Sequence, residues 1–278
     1  MLFGHKNLVN NFKRLADCGR LAHGYIFFGE AQVGKSMFAK CLANYLEYGF
    51  FEEPKKYLNE TLIIGPNDSG GKSGIGIDVI RDIKRFLFAL PAKSNFRIAI
   101  IDDAQTLTSQ AQNAILKIAE EPPASGLIVL ITPNPETIIP TLQSRFQKVY
   151  FPRASSVDIS EYLIKELNIG KAEASKIAGL SFGRIGRAKN LAVMRDNDMN
   201  EIVNRFLKAK SGNLALIKDI VDNVPKLNSF LEALISNLGN DVQKNYPRLK
   251  SIMRTITLMS QFNLNKRLQL EASLIWNI

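Results

Sequence analysis

The loop that decides the fold of this chain is Gly29-Glu30-Ala31-Gln32-Val33-Gly34-Lys35-Ser36. It has the residue types and spacing of a phosphate-binding loop. An apolar run at residues 25–28 precedes it, and residues 37–48 follow with helical spacing of apolar side chains. The loop is therefore predicted to connect a strand to a helix, which is the context that the motif requires.

Four positions of the loop have residue types that phosphate binding requires. Glycines at 29 and 34 let backbone N–H groups wrap a phosphate, and the helix N-terminus adds the positive end of its dipole. Lys35 is predicted to reach the β- and γ-oxygens of a bound nucleotide, and the Ser36 hydroxyl to hold Mg²⁺. The sequence therefore predicts a nucleotide-binding domain.

A second set of candidate residues follows the apolar strands at 97–101 and 127–131. Asp102 and Asp103 come directly after the first of these strands, at the end where ligands bind in open α/β sheets. Asp102 is predicted to hold Mg²⁺ and Asp103 to polarise an attacking water. Thr132 ends the second strand and is predicted to sense a γ-phosphate or a water. Two plainer interpretations stay open: carboxylates that begin the next helix, and a threonine that merely ends a strand.

The order of the predicted elements divides the chain into three parts. Apolar strands alternate with helices over residues 1–152, which indicates a parallel sheet covered on both faces. The last strand of this part is predicted at residues 149–151. Residues 153–198 read as a small helical lid, and residues 199–278 as an all-α C-terminal collar domain. The predicted fold class is α/β, followed by helices only.

Composition excludes several classes of protein. The chain has 278 residues, 46% of them hydrophobic, and no apolar run of membrane-spanning length, so no membrane partner is expected. The N-terminus lacks a secretory apolar segment, which predicts a cytoplasmic protein. Cys18 and Cys41 are too few for a disulfide framework or a cysteine zinc site. His5 and His23 have no metal-ligand spacing, and structural roles are predicted for both.

The charge of the chain favours a polyanionic partner. The formal net charge is +10, and residues 151–278 contribute 19 lysines and arginines against 12 acidic residues.

Residues 70–73 (Gly-Gly-Lys-Ser) look like a second phosphate-binding loop, but Pro66 stands where that motif needs a glycine. That segment is predicted to be a flexible loop that leads into the helix starting at Asp78.

Several motifs together resemble one family, the bacterial DNA polymerase III clamp-loader subunits. They lie at residues 22–29 (Ala-His-Gly-Tyr-Ile-Phe-Phe-Gly), 77–81 (Ile-Asp-Val-Ile-Arg), 101–108 (Ile-Asp-Asp-Ala-Gln-Thr-Leu-Thr), 113–123 (Asn-Ala-Ile-Leu-Lys-Ile-Ala-Glu-Glu-Pro-Pro) and 140–145 (Pro-Thr-Leu-Gln-Ser-Arg). The resemblance spans residues 1 to about 152 and continues more weakly through residues 183–188. The ordered set is far more specific than the phosphate-binding loop alone.

The resemblance implies an AAA+ fold that binds ATP and Mg²⁺, most like the delta-prime subunit, with gamma and tau subunits as relatives. It implies that Arg145 acts in trans, as an arginine finger that reaches the ATP of a neighbouring subunit. It also implies a lid arginine that contacts the nucleotide in cis. Arg187 is the predicted lid arginine, and Arg184 remains a competing candidate.

The chain departs from the family pattern in three places. The family usually carries a four-cysteine zinc module between the phosphate-binding loop and the helix near residue 78, and this chain has only one cysteine in that stretch, Cys41, so no zinc is predicted. Phe146 replaces a cysteine beside Arg145. Asp103 stands where active relatives have glutamate, and the shorter side chain predicts ATP binding with weak or absent hydrolysis.

The predicted function is that of a delta-prime-like subunit that helps to load the sliding clamp onto primed DNA. Its expected partners are other clamp-loader subunits, the clamp, and DNA contacted through phosphates. One alternative is a gamma/tau-like motor ATPase of the same loader. Others are a different AAA+ DNA remodeller or a phosphate-binding-loop kinase.

Overall fold

The computed structural model describes residues 3–65, 74–193, 202–203, 205–207, 220, 224–239 and 242–261. The chain forms two compact units, Met1–Ala188 and Lys189–Ile278. The loop at residues 70–73 lies outside the described residues. The boundary at Ala188 does not separate the predicted lid from the sheet, and the division into three domains stays a prediction.

The first unit is built on a five-stranded sheet. Its strands are β1 (Gly24–Phe28), β2 (Thr61–Ile64), β3 (Arg97–Ile101), β4 (Gly126–Thr132) and β5 (Gln147–Tyr150). Their order in the sheet is β2-β3-β4-β1-β5, and every pairing is parallel. The predicted parallel sheet is confirmed.

Helices connect these strands and continue after the last one. They are α1 (Lys6–Asp17), α2 (Lys35–Tyr48), α3 (Ile77–Phe88), α4 (Ser109–Glu120), α5 (Pro140–Gln143), α6 (Ser156–Leu167), α7 (Lys171–Ser181) and α8 (Ile185–Val193). The Thr108 side chain caps α4 by accepting from the Ala111 N–H at 3.2 Å, and Ser155 caps α6 in the same way.

Both faces of the sheet are buried, and the side chains alternate between them. One face packs against α3 and α4 through Ile26, Ala99, Ile101, Ile128, Leu130, Ile80, Ile83 and Ile115. The other packs against α1 and α2 through Tyr25, Phe27, Ile98, Ile100, Val129, Phe12, Phe38 and Leu42. Burial on both faces explains why the central strands read as continuous apolar runs.

The last strand differs from its prediction. It begins at Gln147 rather than at residue 149, because Gln147 and Lys148 pair with Tyr25 and Ile26 of β1. β5 is an edge strand, and Gln147 and Lys148 are exposed, so the apolar pattern does not mark its start. Phe151 lies just beyond β5, where its N–H donates to the Phe28 carbonyl at 2.8 Å.

The second unit is helical in its described part. Two of its helices are α9 (Val224–Leu238) and α10 (Val242–Gln261). Their core includes Val203, Phe206, Ile220, Leu227, Phe230, Leu234, Leu238 and Ile252. None of the helices in the described part of the chain has the length and apolar character needed to cross a membrane.

Candidate nucleotide-binding site

The phosphate-binding loop connects β1 to α2, as predicted. Gly29 has φ 138° and Gly34 has φ 109°, backbone conformations that L side chains rarely adopt. A Cβ at Gly29 would lie 2.5 Å from the carbonyl oxygen of Phe151. Glycine is therefore required at position 29 both by its dihedral angle and by the chain that lies against it.

Lys35 begins α2 and is buried inside the loop, with 7% of its surface exposed. Its Nζ donates to the carbonyl oxygens of Gly29 and Glu30, both at 2.7 Å. Burial lowers the pKa of Lys35, and the carboxylates of Asp102 and Asp103 oppose part of that shift. The ammonium group lies at the centre of the loop and within the field of the acidic strand end.

Strand order brings the other predicted residues to the same edge of the sheet. β4 lies between β1 and β3, with Phe28 opposite Thr132 and Ile101 opposite Leu130. Because the strands are parallel, their carboxyl ends meet at one edge. The loop after β1, Asp102 after β3 and Thr132 at the end of β4 therefore lie at one edge of three adjacent strands.

The two carboxylates differ in their surroundings. Asp102 is half-buried, and its Oδ1 accepts from the Asp103 N–H at 3.1 Å. Asp103 is exposed, with a left-handed φ of 52°, and its Oδ1 accepts from Gln105 Nε2 at 3.0 Å. The Ser36 hydroxyl and the Asp102 carboxylate are the hard oxygen donors that Mg²⁺ prefers, so the residues present fit that ion.

Thr132 is fully buried, and its hydroxyl already has local partners. Oγ1 lies 3.0 Å from the Asn134 carbonyl oxygen and 3.0 Å from Thr137 Oγ1. These contacts stabilise the turn that follows β4. The structure thus places Thr132 at the predicted edge, with its hydroxyl within that turn.

Arg145 lies just after α5 and is paired within its own chain. Its Nη2 is 3.0 Å from Glu120 Oε1, and its Nη1 donates to the Thr141 carbonyl at 3.0 Å. The two side chains are 38% and 47% exposed, respectively. Glu120 is the first glutamate of the Glu-Glu-Pro-Pro motif, so two of the motifs identified in the sequence are in contact. Phe146 points inward and is buried.

The turn between α7 and α8, together with the start of α8, contacts the phosphate-binding loop. The Gly186 N–H donates to the Gln32 carbonyl at 2.9 Å. The hydrogen bonds from Arg153 lower the pKa of Glu30 in the loop, and the charge of Arg184 adds a smaller effect in the same direction. Arg187 places its guanidinium over the Phe182 ring, 5.3 Å from the centroid. Both lid candidates therefore belong to a segment that touches the loop.

Two contacts of the loop have no signal in the sequence. Arg153 donates from Nε and Nη2 to Glu30 Oε1, at 3.0 and 2.5 Å. His5 Nε2 lies 2.9 Å from the Val33 carbonyl oxygen. Both partners are far away in the chain, and neither contact follows a motif or a periodic pattern.

Comparison with known proteins decides the family. The model of the family described as "DNA polymerase III, delta subunit" matches residues 4–155, which is more than half of the chain. The chain belongs to this family. The match covers the whole sheet and ends at the start of α6, so it includes the phosphate-binding loop, Asp102, Thr132 and Arg145.

The curated relatives agree with membership of the DNA polymerase III clamp-loader family. The gamma/tau subunit of Mycobacterium tuberculosis (strain H37Rv) is 32% identical over 152 residues, which cover 51% of this chain and 26% of that protein. The gamma subunit of Buchnera aphidicola from Acyrthosiphon pisum is 27% identical over 243 residues, covering 83% of this chain and 65% of that protein. This chain thus spans about a quarter of the Mycobacterium relative.

The solved structures show the fold. A gamma subunit-related protein of Thermotoga maritima matches with a TM-score of 0.61 and 24% identity, covering 95% of this chain and 97% of that one. A point mutant of RuvB from the same organism matches with a TM-score of 0.53 and 16% identity, covering 98% of this chain and 83% of that one. The chain therefore has the predicted AAA+ fold.

Proposed function

We propose that this chain is a delta-prime-like subunit of the DNA polymerase III clamp loader, which binds Mg²⁺–ATP and donates Arg145 to a neighbouring subunit. The observation that carries the proposal is the arrangement at the sheet edge. Lys35, Asp102 and Thr132 come from distant parts of the sequence, and three adjacent parallel strands bring them to one edge. Ligands bind in open α/β sheets at such an edge.

Nucleotide binding uses groups that the loop already orients. Backbone N–H groups between Gly29 and Ser36 bind the β-phosphate, and the N-terminus of α2 adds its dipole. Lys35 exchanges a carbonyl partner for phosphate oxygens, which are stronger acceptors because they are charged. Ser36 and Asp102 would hold Mg²⁺, which would supply positive charge beside the phosphates.

The chain's own hydrolysis is proposed to be weak or absent. Asp103 has a side chain one methylene shorter than the glutamate of the active relatives that it resembles. Its carboxylate is exposed and accepts a hydrogen bond from Gln105. A general base displaced by about 1 Å costs on the order of 100-fold in rate.

Arg145 is proposed to act across a subunit interface. The ion pair between Arg145 and Glu120 is half-exposed, and ion pairs of this kind contribute only about 0–1 kcal/mol to stability. Replacing the contact of Arg145 with Glu120 by a contact with a neighbour's ATP would therefore cost little free energy. The planar cation then stabilises charge on the transferring phosphoryl group of that neighbour.

The helices after β5 are proposed to serve assembly. Residues 153–198 form a lid, in which Arg187 or Arg184 contacts the nucleotide in cis, and residues 199–278 form a collar that joins other loader subunits. The excess of basic residues in 151–278 supports contact with the phosphates of primed DNA, without readout of bases.

A gamma/tau-like motor ATPase is the second candidate. It is favoured by the complete phosphate-binding loop and by the gamma/tau subunits among the relatives. In that case Lys35, Ser36, Asp102 and Asp103 would hydrolyse ATP in this chain. The two candidate functions therefore differ in whether ATP is hydrolysed at the site of this chain or at the site of a neighbouring subunit.

A reconstituted loader separates the two candidates. The chain is mixed with partner subunits, the clamp and primed DNA, and ATP hydrolysis is measured for wild type, Lys35→Ala and Arg145→Ala. The delta-prime-like function predicts a large loss with Arg145→Ala and little with Lys35→Ala. A large loss with Lys35→Ala, traced to this chain's own site, would establish the motor ATPase instead. Lys165→Ala, which removes an exposed ion pair on α6, is the control.

A further inference from the structure

His5 is buried against the phosphate-binding loop, with 3% of its surface exposed. Nε2 lies 2.9 Å from the Val33 carbonyl oxygen, and the ring packs edge-on against Phe151 at 5.1 Å. A Cβ built on Gly34 would lie 3.6 Å from Nε2, so the loop backbone runs close to the ring. The segment just before α1 is thus in direct contact with the loop that follows β1.

The segment that carries His5 is anchored on both sides. Phe3 packs edge-on against Tyr162 of α6 at 5.4 Å. Gly4 has φ 83°, and a Cβ there would lie 2.7 Å from Ala154 Cβ. On the other side His5 stands at the N-cap position of α1, where its carbonyl accepts from the Val9 N–H at 3.0 Å. Because the segment is held at both ends, His5 fixes the position of Val33.

The hydrogen bond sets the direction of a peptide group. The chain has no cis peptide bond among the described residues, so the C=O of Val33 and the N–H of Gly34 point in opposite directions. The carbonyl points to His5, and the Gly34 N–H therefore points to the other side of the loop backbone. N–H groups of such loops form the anion-binding concavity.

We propose that His5 is a positioning residue for nucleotide binding, whose Nε2–H holds the Val33–Gly34 peptide with the Gly34 N–H turned toward the phosphate. This inference rests on the proposed nucleotide binding and adds a residue outside the loop motif. Gly186 makes the matching contact one peptide earlier, through its hydrogen bond to the Gln32 carbonyl. Two consecutive peptide groups of the loop are thus oriented from outside it.

The tautomer of His5 follows from its partner. The Val33 carbonyl only accepts, so Nε2 must carry the proton. Nδ1 is buried and has no hydrogen-bond partner among the described residues. Burial lowers the pKa of His5, although the hydrogen bond to Val33 and the carboxylate of Asp158 oppose this shift. The ring is therefore neutral at pH 7 and holds the loop through a single donor.

Mg²⁺–ATP binding to the full chain tests the proposal, by calorimetry on wild type, His5→Leu and His5→Gln. His5→Leu removes the donor and is expected to raise the dissociation constant about three- to tenfold, which is the effect of one hydrogen bond. His5→Gln keeps a side-chain N–H donor and is expected to recover most of the affinity. If His5 acted only through the packing of its ring against Phe151, glutamine would not restore the affinity. The control is His23→Leu, which removes the other histidine, packed on Phe146.

The outcomes separate the two proposals. If wild type binds and His5→Leu binds equally well, the positioning role is wrong and nucleotide binding stands. If wild type binds no Mg²⁺–ATP, the proposed function is wrong, and the role of His5 falls with it.

A second measurement needs no variant. The chain has only two histidines, so their imidazole ¹⁵N signals can be assigned and followed while Mg²⁺–ATP is added. The Nε2 signal of His5 is expected to shift, and the signals of His23 to stay unchanged. No change at His5 on saturation with nucleotide would overturn the proposal, even if His5→Leu failed to fold.

Discussion

Two arginine–glutamate pairs of the first unit have nearly the same length and opposite surroundings. Arg97 and Glu60 meet at 3.0 Å near the starts of β3 and β2, with side chains 18% and 3% exposed. Arg145 and Glu120 also meet at 3.0 Å, but their side chains are 38% and 47% exposed. Distance alone therefore does not distinguish them, whereas burial and the remaining hydrogen bonds do.

The two side chains of the buried pair also hydrogen-bond to backbone groups. Glu60 Oε1 accepts from the N–H groups of Ala92 and Lys93, and Arg97 Nη1 donates to the Phe86 carbonyl at 3.0 Å. This network ties the loop after α3 to the amino ends of two strands. The exposed pair holds one cation to one carboxylate and one carbonyl. The comparison indicates that the first pair stabilises the fold and that the second contributes little to its stability.

The largest effect on stability is expected from Arg97→Leu. It leaves the Glu60 carboxylate buried without its cation, which costs about 3–5 kcal/mol in comparable pairs. The measurement is the free energy of unfolding in urea. A loss below about 1 kcal/mol would mean that Glu60 reaches water in solution and that the contrast between the two pairs is wrong.

Glu60→Gln is expected to cost less, about 1–3 kcal/mol, because the amide oxygen still accepts from Ala92 and Lys93 while the charge-assisted contact to Arg97 is lost. Combined with Arg97→Leu, the loss should be smaller than the sum of the two single losses, because the pair is coupled. Strict additivity of the two changes in urea unfolding would contradict the network.

Arg145→Ala is expected to change the free energy of unfolding by less than about 1 kcal/mol, since its partner Glu120 is half-exposed. The proposed action of Arg145 in trans predicts that, in the reconstituted loader, the same change lowers ATP hydrolysis at the neighbouring subunit's site by about 10³-fold. A stability loss like that of Arg97→Leu would show that Arg145 is held for structural reasons.

The smallest expected effect is the contribution of His5 to the pH dependence of the free energy of unfolding. Burial lowers the pKa of His5 below its ordinary value of 6.5, so the unfolded chain binds this proton more readily than the folded one. This contribution to stability is present above pH 6.5 and is lost as the pH falls below it. Urea unfolding between about pH 7.5 and pH 5 should therefore show a decline that is shallower in His5→Gln. Parallel declines would indicate that His5 is not buried in solution.

Much of the fold could be predicted from local patterns. The phosphate-binding loop is a contiguous motif, and the central strands are continuous apolar runs because both faces of the sheet are buried. The parallel order then places Asp102 and Thr132 beside the loop. The prediction for the edge strand β5 starts two residues late, because Gln147 and Lys148 pair through their backbones and leave no apolar pattern.

Contacts between distant segments could not be predicted. The sequence separates Arg145 from Glu120 by 25 residues and Glu30 from Arg153 by 123. Glu60 lies in a polar stretch, residues 52–60, and only the fold buries it. The position of a carboxylate or an imidazole in the sequence does not indicate which residue it will contact. The contacts that Glu30 and His5 make around the phosphate-binding loop are therefore visible only in the tertiary structure.

The central claim is that the loop after β1 and the acidic end of β3 form one nucleotide site. The most direct test is calorimetric titration of the full chain with ATP and Mg²⁺, using Lys35→Ala and, as a control on the same helix, Lys40→Ala. Wild type and Lys40→Ala should bind one nucleotide per chain. Lys35→Ala should bind about 100-fold more weakly, since it loses two charge-assisted hydrogen bonds of roughly 1.5 kcal/mol each. Absence of binding by wild type, or equal binding by Lys35→Ala, would contradict the account.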